Sequence, residues 1–148
     1  MKMKKQNLTL GMILGRIRHE MARVLKKRFG EQAQTGLTLE QYALLHALNR
    51  KGYDVIQKEM AEIMGKDKSA ILRFIDSLEE KELVKRVIDT NDRRKNYILV
   101  TKKGEREIEK YLKIELGLIG ELQEDISKSD IDIFYKVINQ IKSKVEKL

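Results

Sequence analysis

Apolar residues recur at helical spacing along most of the chain, and one short stretch between residues 83 and 100 breaks that period. Leu10, Ile13, Leu14, Ile17, Met21, Val24 and Leu25 follow the i, i+3, i+4, i+7 pattern and predict an amphipathic helix over about residues 8–28. Gly30, Gly36 and the polar residues between them mark a connection. Leu37-Thr38-Leu39-Glu40-Gln41-Tyr42 then reads as a helix start. Thr38 can accept from the first free N–H groups, Gln41 can reach back three residues, and Leu37 can staple onto Tyr42. Leu45 and Leu48 continue this helix to Lys51-Gly52. A short helix is expected over about Gln57–Met64, with Met60, Ala61 and Met64 inward and Gly65 as its stop. Asp67 is the next N-cap, opening a helix from Lys68 to about Lys81. Ile71, Phe74, Ile75 and Leu78 share one face of it, while Ser69, Leu72, Arg73 and Asp76 share the other.

The period then changes. Leu83-Val84-Lys85-Arg86-Val87-Ile88 and Asn96-Tyr97-Ile98-Leu99-Val100 are β-branched and aromatic runs joined by the turn-rich, charged Asp89-Thr90-Asn91-Asp92-Arg93-Arg94-Lys95. This pattern predicts an antiparallel hairpin with a basic tip. Thr101 caps another helix, with Ile108, Tyr111, Leu112, Ile119 and Leu122 on its inner side, and Ser129 is the expected cap of the last. That last helix carries Ile131, Phe134, Ile138, Ile141, Val145 and Leu148. The terminal helices flank the central unit and each carries an apolar stripe, so they are expected to pack together and onto a second copy, as a two-fold dimer.

Composition narrows the function. The 148 residues suit one domain, mainly α with a small β-hairpin. There is no Cys, which excludes disulfides, thiolate metal sites and Cys nucleophiles, and no Pro. No phosphate loop, GxSxG or HExxH occurs, and His19 and His46 are the only histidines, so no catalytic residue, metal site or cofactor is expected. Gly11 and Gly15 have GxxxG spacing, which with Arg16 beside them reads as close helix packing and not as a membrane span. The N-terminal Met1-Lys2-Met3-Lys4-Lys5 run imitates a signal peptide, yet Arg16, Arg18 and His19 follow the apolar stretch at once. A cytoplasmic protein is expected.

Charge is unevenly placed. Residues 1–30 carry +8 and residues 85–103 carry +5, while residues 31–84 and 104–148 carry −3 and −2. Two basic clusters in a chain of net charge +8 suggest a polyanion footprint. Two short helices joined at a glycine turn, followed by a basic hairpin, describe a winged helix-turn-helix, whose second helix enters the major groove. Lys66, Lys68 and Ser69 lie at the start of that helix, where free N–H groups and the dipole favour phosphate or base-edge acceptors. Arg73 has the fork geometry for guanine O6 and N7, and Leu72 offers only apolar contact, as with a thymine methyl. Arg93, Arg94 and Lys95 at the hairpin tip suit a narrow minor groove, with Asp92 beside them to pin one arginine.

These residues carry a resemblance. The run from Leu37 to Gly104 resembles the MarR family of transcription regulators. The matching pieces are Leu37-Thr38-Leu39-Glu40-Gln41, Lys68-Ser69-Ala70-Ile71-Leu72-Arg73, Leu78-Glu79-Glu80-Lys81, Leu83-Val84-Lys85-Arg86, Asp89-Thr90-Asn91-Asp92-Arg93-Arg94 and Val100-Thr101-Lys102-Lys103-Gly104. The resemblance implies a homodimer that binds pseudo-palindromic double-stranded DNA, and a repressor or activator released by a small anionic or phenolic effector. Residues 36–103 would read DNA, and residues 1–35 and 104–148 would build the dimer. The effector would lie near Arg16, His19, Tyr42 and His46.

The departures from the family pattern are local. Ile56 stands at a usual Ser/Thr cap, Leu72 at a frequent Thr and Thr90 at the usual wing proline. Glu82 stands at the usual C′ glycine, so the reading helix is expected to end differently. The main rival to DNA binding is a helical adaptor that docks a protein partner or an anionic membrane surface through the basic first helix. Salt-sensitive binding to duplex DNA, absent for lipid vesicles, separates the two.

Overall fold

Side-chain caps set where the helices begin in this computed structural model, which describes residues 8–33, 35–51, 60, 65, 67–88, 90–92 and 96–148. The elements are α1 (Leu10–Arg28) with a π turn (Phe29–Ala33), α2 (Leu39–Lys51), α3 (Lys68–Glu80), β1 (Val84–Ile88), β2 (Asn96–Val100), α4 (Lys102–Gln123) and α5 (Lys128–Glu146). Thr38 and Gln41 form the reciprocal box anticipated above. Gln41 N donates to Thr38 Oγ1 and Thr38 N donates to Gln41 Oε1, both at 3.1 Å. Asp67 Oδ1 accepts from Ala70 N at 2.7 Å, and Thr101 Oγ1 accepts from Gly104 N at 3.0 Å. The result is mainly α with one antiparallel hairpin, the fold class the sequence implies. Of the short helix expected over Gln57–Met64, all but Met60 lies outside the described residues. Met60 is fully buried, and Gly65 has φ +63°.

The chain divides into two compact units, Met1–Ile114 and Glu115–Leu148. In the first, Leu44, Leu45 and Leu48 of α2 and Ile71, Ile75 and Leu78 of α3 are buried with Ile98, Ile108 and Tyr111. Burying each such side chain is worth about 1.5–3 kcal/mol. A polar tie runs through this core, since buried Gln41 donates from Nε2 to Ser77 Oγ at 2.8 Å and so links α2 to α3. The hairpin pairs Val84 with Val100 through to Ile88 with Asn96. In the second unit Leu118 is the only buried hydrophobic among the described residues, and α5 has no buried residue.

Several expectations are corrected. The first helix ends at Arg28 as its spacing predicts, but Gly30 does not open a connection. The helix widens into the π turn, which keeps Phe29 and Ala33 both buried, and the break comes at Gly36 with φ +74°. The last helix is capped by Ser127, not Ser129, with Asp130 N donating to Ser127 Oγ at 3.1 Å. Both serines precede an acid by three residues, and the helix starts at the earlier one, with Ile131 N donating to Ser127 O at 3.1 Å. Leu122 is not inward but 52% exposed, while Leu118 is buried.

Glu82 also departs from expectation. The helix ends in the left-handed turn that glycine prefers, with Glu82 at φ 61°. Glu82 N donates to Glu79 O and Leu83 N to Leu78 O, both at 2.9 Å, the paired bonds of a Schellman ending. Buried Leu78 and Leu83 supply its apolar contact, and Thr101 Oγ1 donates to Glu82 O at 2.7 Å. Tertiary packing therefore imposes a backbone that a Cβ resists. Glu82→Gly is expected to stabilise the fold by about 0.5–1 kcal/mol, read as a raised Tm. A lowered Tm would show that the turn carries no strain.

Candidate nucleic-acid interface

Helix α3 turns its apolar positions inward and leaves Lys68, Ser69, Leu72 and Arg73 exposed on the opposite side. The Asp67 cap satisfies one N–H of the first turn, and the remaining free donors and the helix dipole favour an anion there. Among the described residues neither Lys68 nor Arg73 has a carboxylate partner, so both cations are uncommitted. Phosphate contact by Lys68 and forked base contact by Arg73 are chemically open to this face. Lys66, Arg93, Arg94 and Lys95 lie outside the described residues. Thr90 and Asn91 are exposed and Asp92 is half-buried.

Asp76 does not belong with the free face. Arg86 of β1 reaches back to α3, donating from Nη2 to Asp76 Oδ1 at 2.5 Å and from Nη1 to Glu79 Oε1 at 2.9 Å. Partial burial disfavours the guanidinium charge, but the hydrogen bonds and charges of Asp76 and Glu79 outweigh it and hold the Arg86 pKa above its usual value. Sequence reasoning misses this link. The available signal is a pair of acids three residues apart on α3 followed by a cation in the inward register of β1.

The hairpin is seated by a close approach that sequence reasoning also leaves unexplained. A Cβ built on Gly104 would overlap the carbonyl oxygen of Leu83 and stand 2.8 Å from Val100 Cγ1. Only glycine lets the first turn of α4 lie against Leu83, just before β1, and Val100 at the end of β2.

The residues expected around an effector separate into two groups. Tyr42 is buried in an aromatic cluster, 5.4 Å from Phe29 and 5.5 Å from Tyr111 between ring centroids, and His46 stacks on it at 5.7 Å. Arg16 and His19 are exposed along α1. Among the described residues, open clefts line this unit. One of about 360 Å³ is lined by Lys26, Phe29, Leu37 and Glu40 among others, and one of about 260 Å³ by Thr35, Leu37, Lys81, Leu83, Lys103 and Glu107. Phe29 joins the larger cleft to the Tyr42 cluster. Among the described residues no group of His, Asp and Glu could hold a metal ion, and no helix is long and apolar enough to cross a membrane.

Comparison with known proteins gives the same picture. Residues 37–95 match the model of the MarR family. A MarR-family transcriptional regulator from Rhodococcus sp. RHA1 is 26% identical, with a TM-score of 0.76 over 89% of this chain and 91% of that one. CouR from Rhodococcus jostii RHA1, solved with p-coumaroyl-CoA, is 26% identical, with a TM-score of 0.74 over 95% of each chain. A point mutant of Staphylococcus aureus MepR, bound to an oligodeoxyribonucleotide, shares the fold at 21% identity, with a TM-score of 0.63 over 94% of this chain and 99% of that one. The family model covers the segment that holds α2, α3 and β1, and the architecture is shared over nearly the full length, so the chain is similar to the MarR family of transcriptional regulators in both sequence and fold.

Proposed function

We propose that the protein is a ligand-responsive repressor that binds a pseudo-palindromic operator as a homodimer. Residues 36–103 read the duplex, with α3 in the major groove and the Arg93-Arg94-Lys95 tip at the neighbouring minor groove or backbone. Residues 1–35 and 104–148 form the dimer. The observation that carries this reading is the exposed face of α3, where Lys68 and Arg73 stand uncommitted beside a capped helix start. The oligodeoxyribonucleotide seen with the MepR mutant supports it.

The dimer is supported by apolar surface left uncovered in one chain. Leu10, Met12, Ile13, Leu14 and Ile17 of α1 are exposed, as are Ile133, Phe134, Val137 and Val145 of α5. A 19-residue helix with no buried side chain is marginal in water on its own, and exposed apolar residues clustered along one helix mark an interface. The effector is a small anionic or phenolic molecule bound near Tyr42 and His46, with Arg16 and His19 as further candidate contacts. The p-coumaroyl-CoA seen with CouR supports that class. Such a ligand acts only by preferring a dimer misaligned for DNA, so equal ligand affinity for free and DNA-bound dimer would contradict the coupling.

Two substitutions test the interface on a duplex selected by the wild-type protein from a randomised library. Arg73→Ala is expected to relax base preference at one position by about 1–3 kcal/mol of discrimination. Arg94→Ala is expected to weaken all sequences alike and to reduce the slope of log K against log salt by about 1. If both variants bound as wild type at low and moderate salt, while anionic vesicles competed for the protein, the DNA assignment of these residues would be wrong.

A further inference from the structure

Arg86 occupies an odd place for a cation. It pairs with Ile98 across the hairpin, and cross-strand partners share a face, so its register is that of the fully buried Ile98. Lys85 beside it faces outward and is exposed. The inward register leaves the Arg86 side chain 24% exposed, and its needs are met from α3. Nη1 and Nη2 grip Glu79 and Asp76, and the Arg86 backbone N–H donates to Glu79 Oε2 at 3.1 Å. Three hydrogen bonds thus cross from one short strand to one helix. A lysine has no planar fork and could not hold two carboxylates in this fixed geometry.

We propose that Arg86 is a positioning residue for DNA recognition, fixing the hairpin against the reading helix and cancelling the charge of Asp76 beside Arg73. The inference rests on the reading that α3 and the hairpin tip touch the same duplex. Asp76 lies three residues beyond Arg73, with its side chain 62% exposed, so without Arg86 a bare carboxylate would face the phosphates. Arg93 and Arg94 follow β1 in the sequence, and among the described residues the Arg86 guanidinium ties that strand to α3. Arg86 therefore acts through the tip and through Asp76 without contacting DNA itself.

The test is a double-mutant cycle on the full-length protein, using the duplex selected by the wild type and with Tm measured for each variant. Arg86→Met is expected to lose about tenfold in affinity, with Arg86→Lys intermediate. In an Arg94→Ala background the Arg86→Met loss shrinks to about twofold or less, because the tip it positions no longer contributes. Adding Asp76→Asn to Arg86→Met recovers only the residual part of the loss, about twofold or less, whereas Asp76→Asn alone does not raise affinity. Losses at Arg86 and Arg94 that simply multiply in folded variants would overturn the inference. So would wild-type affinity of Arg86→Met while Arg94→Ala binds weakly. Should Arg86→Met fail to fold, Arg86→Lys carries the same cycle. If Arg73→Ala and Arg94→Ala were themselves silent, the interface reading would fall, which is a different result from additivity at Arg86.

Discussion

Gly104→Ala is expected to lower the stability of the protein by at least about 3 kcal/mol, a Tm drop of roughly 6–12 °C for a domain of this size. The reason is local and backbone-bound. The added methyl overlaps the Leu83 carbonyl oxygen, which already accepts from Thr101 N at 3.0 Å, and crowds Val100 Cγ1 at 2.8 Å. Neither atom is the free end of a flexible side chain. Relief requires α4 to move off the hairpin, so DNA binding is expected to weaken as well. Gly117→Ala is the control, because nothing lies within 4 Å of a Cβ there and alanine is the better helix former. Equal Tm values for the two variants would show that α4 does not press on Leu83 and Val100.

Tyr111→Phe is expected to cost about 1–3 kcal/mol while leaving the aromatic packing in place. Tyr111 is buried in the cluster with Phe29, 4.5 Å away, and with Tyr42. Its hydroxyl accepts from Leu37 N at 3.1 Å and lies 2.7 Å from Thr35 Oγ1. Removing that oxygen leaves the buried Leu37 N–H without its partner, one residue before the Thr38 cap. The loss should appear in denaturant midpoint with little change in m. An unchanged midpoint would mean that the Leu37 N–H finds another acceptor.

What is legible in the sequence is local chemistry. Thr38, Asp67 and Thr101 cap their helices as their spacing implies, because a cap depends on residues within one turn. The hairpin follows from a change of period, and the inward faces of α2 and α3 from helical spacing. Long-range choices are not legible. Gly30 looks like a break, but the aromatic partners of Phe29, Tyr42 and Tyr111, are distant in sequence and favour a widened turn. Glu82 looks unsuited to a left-handed end, yet buried Leu78 and Leu83 on either side of the turn outweigh the local preference. Ser127 and Ser129 offer the same pattern twice, and no local rule separates them.

The candidate site divides the same way. Lys68, Ser69, Leu72 and Arg73 are readable as one exposed face, since helical geometry fixes it once the apolar face is known. Asp76 reads as part of that face by spacing alone, because its partner, Arg86, sits in another element and pairs with it through tertiary structure. The close approach at Gly104 is likewise a relation between α4, Leu83 and Val100, invisible to any period.

The central claim is that two copies of this chain present α3 to one double helix. The direct measurement is a hydroxyl-radical footprint and complex mass on the duplex that the wild-type protein selects. Two symmetry-related protected patches centred roughly 34 Å apart, with two protomers per duplex, are expected. A single asymmetric patch, or one protomer per duplex at saturation, would contradict it.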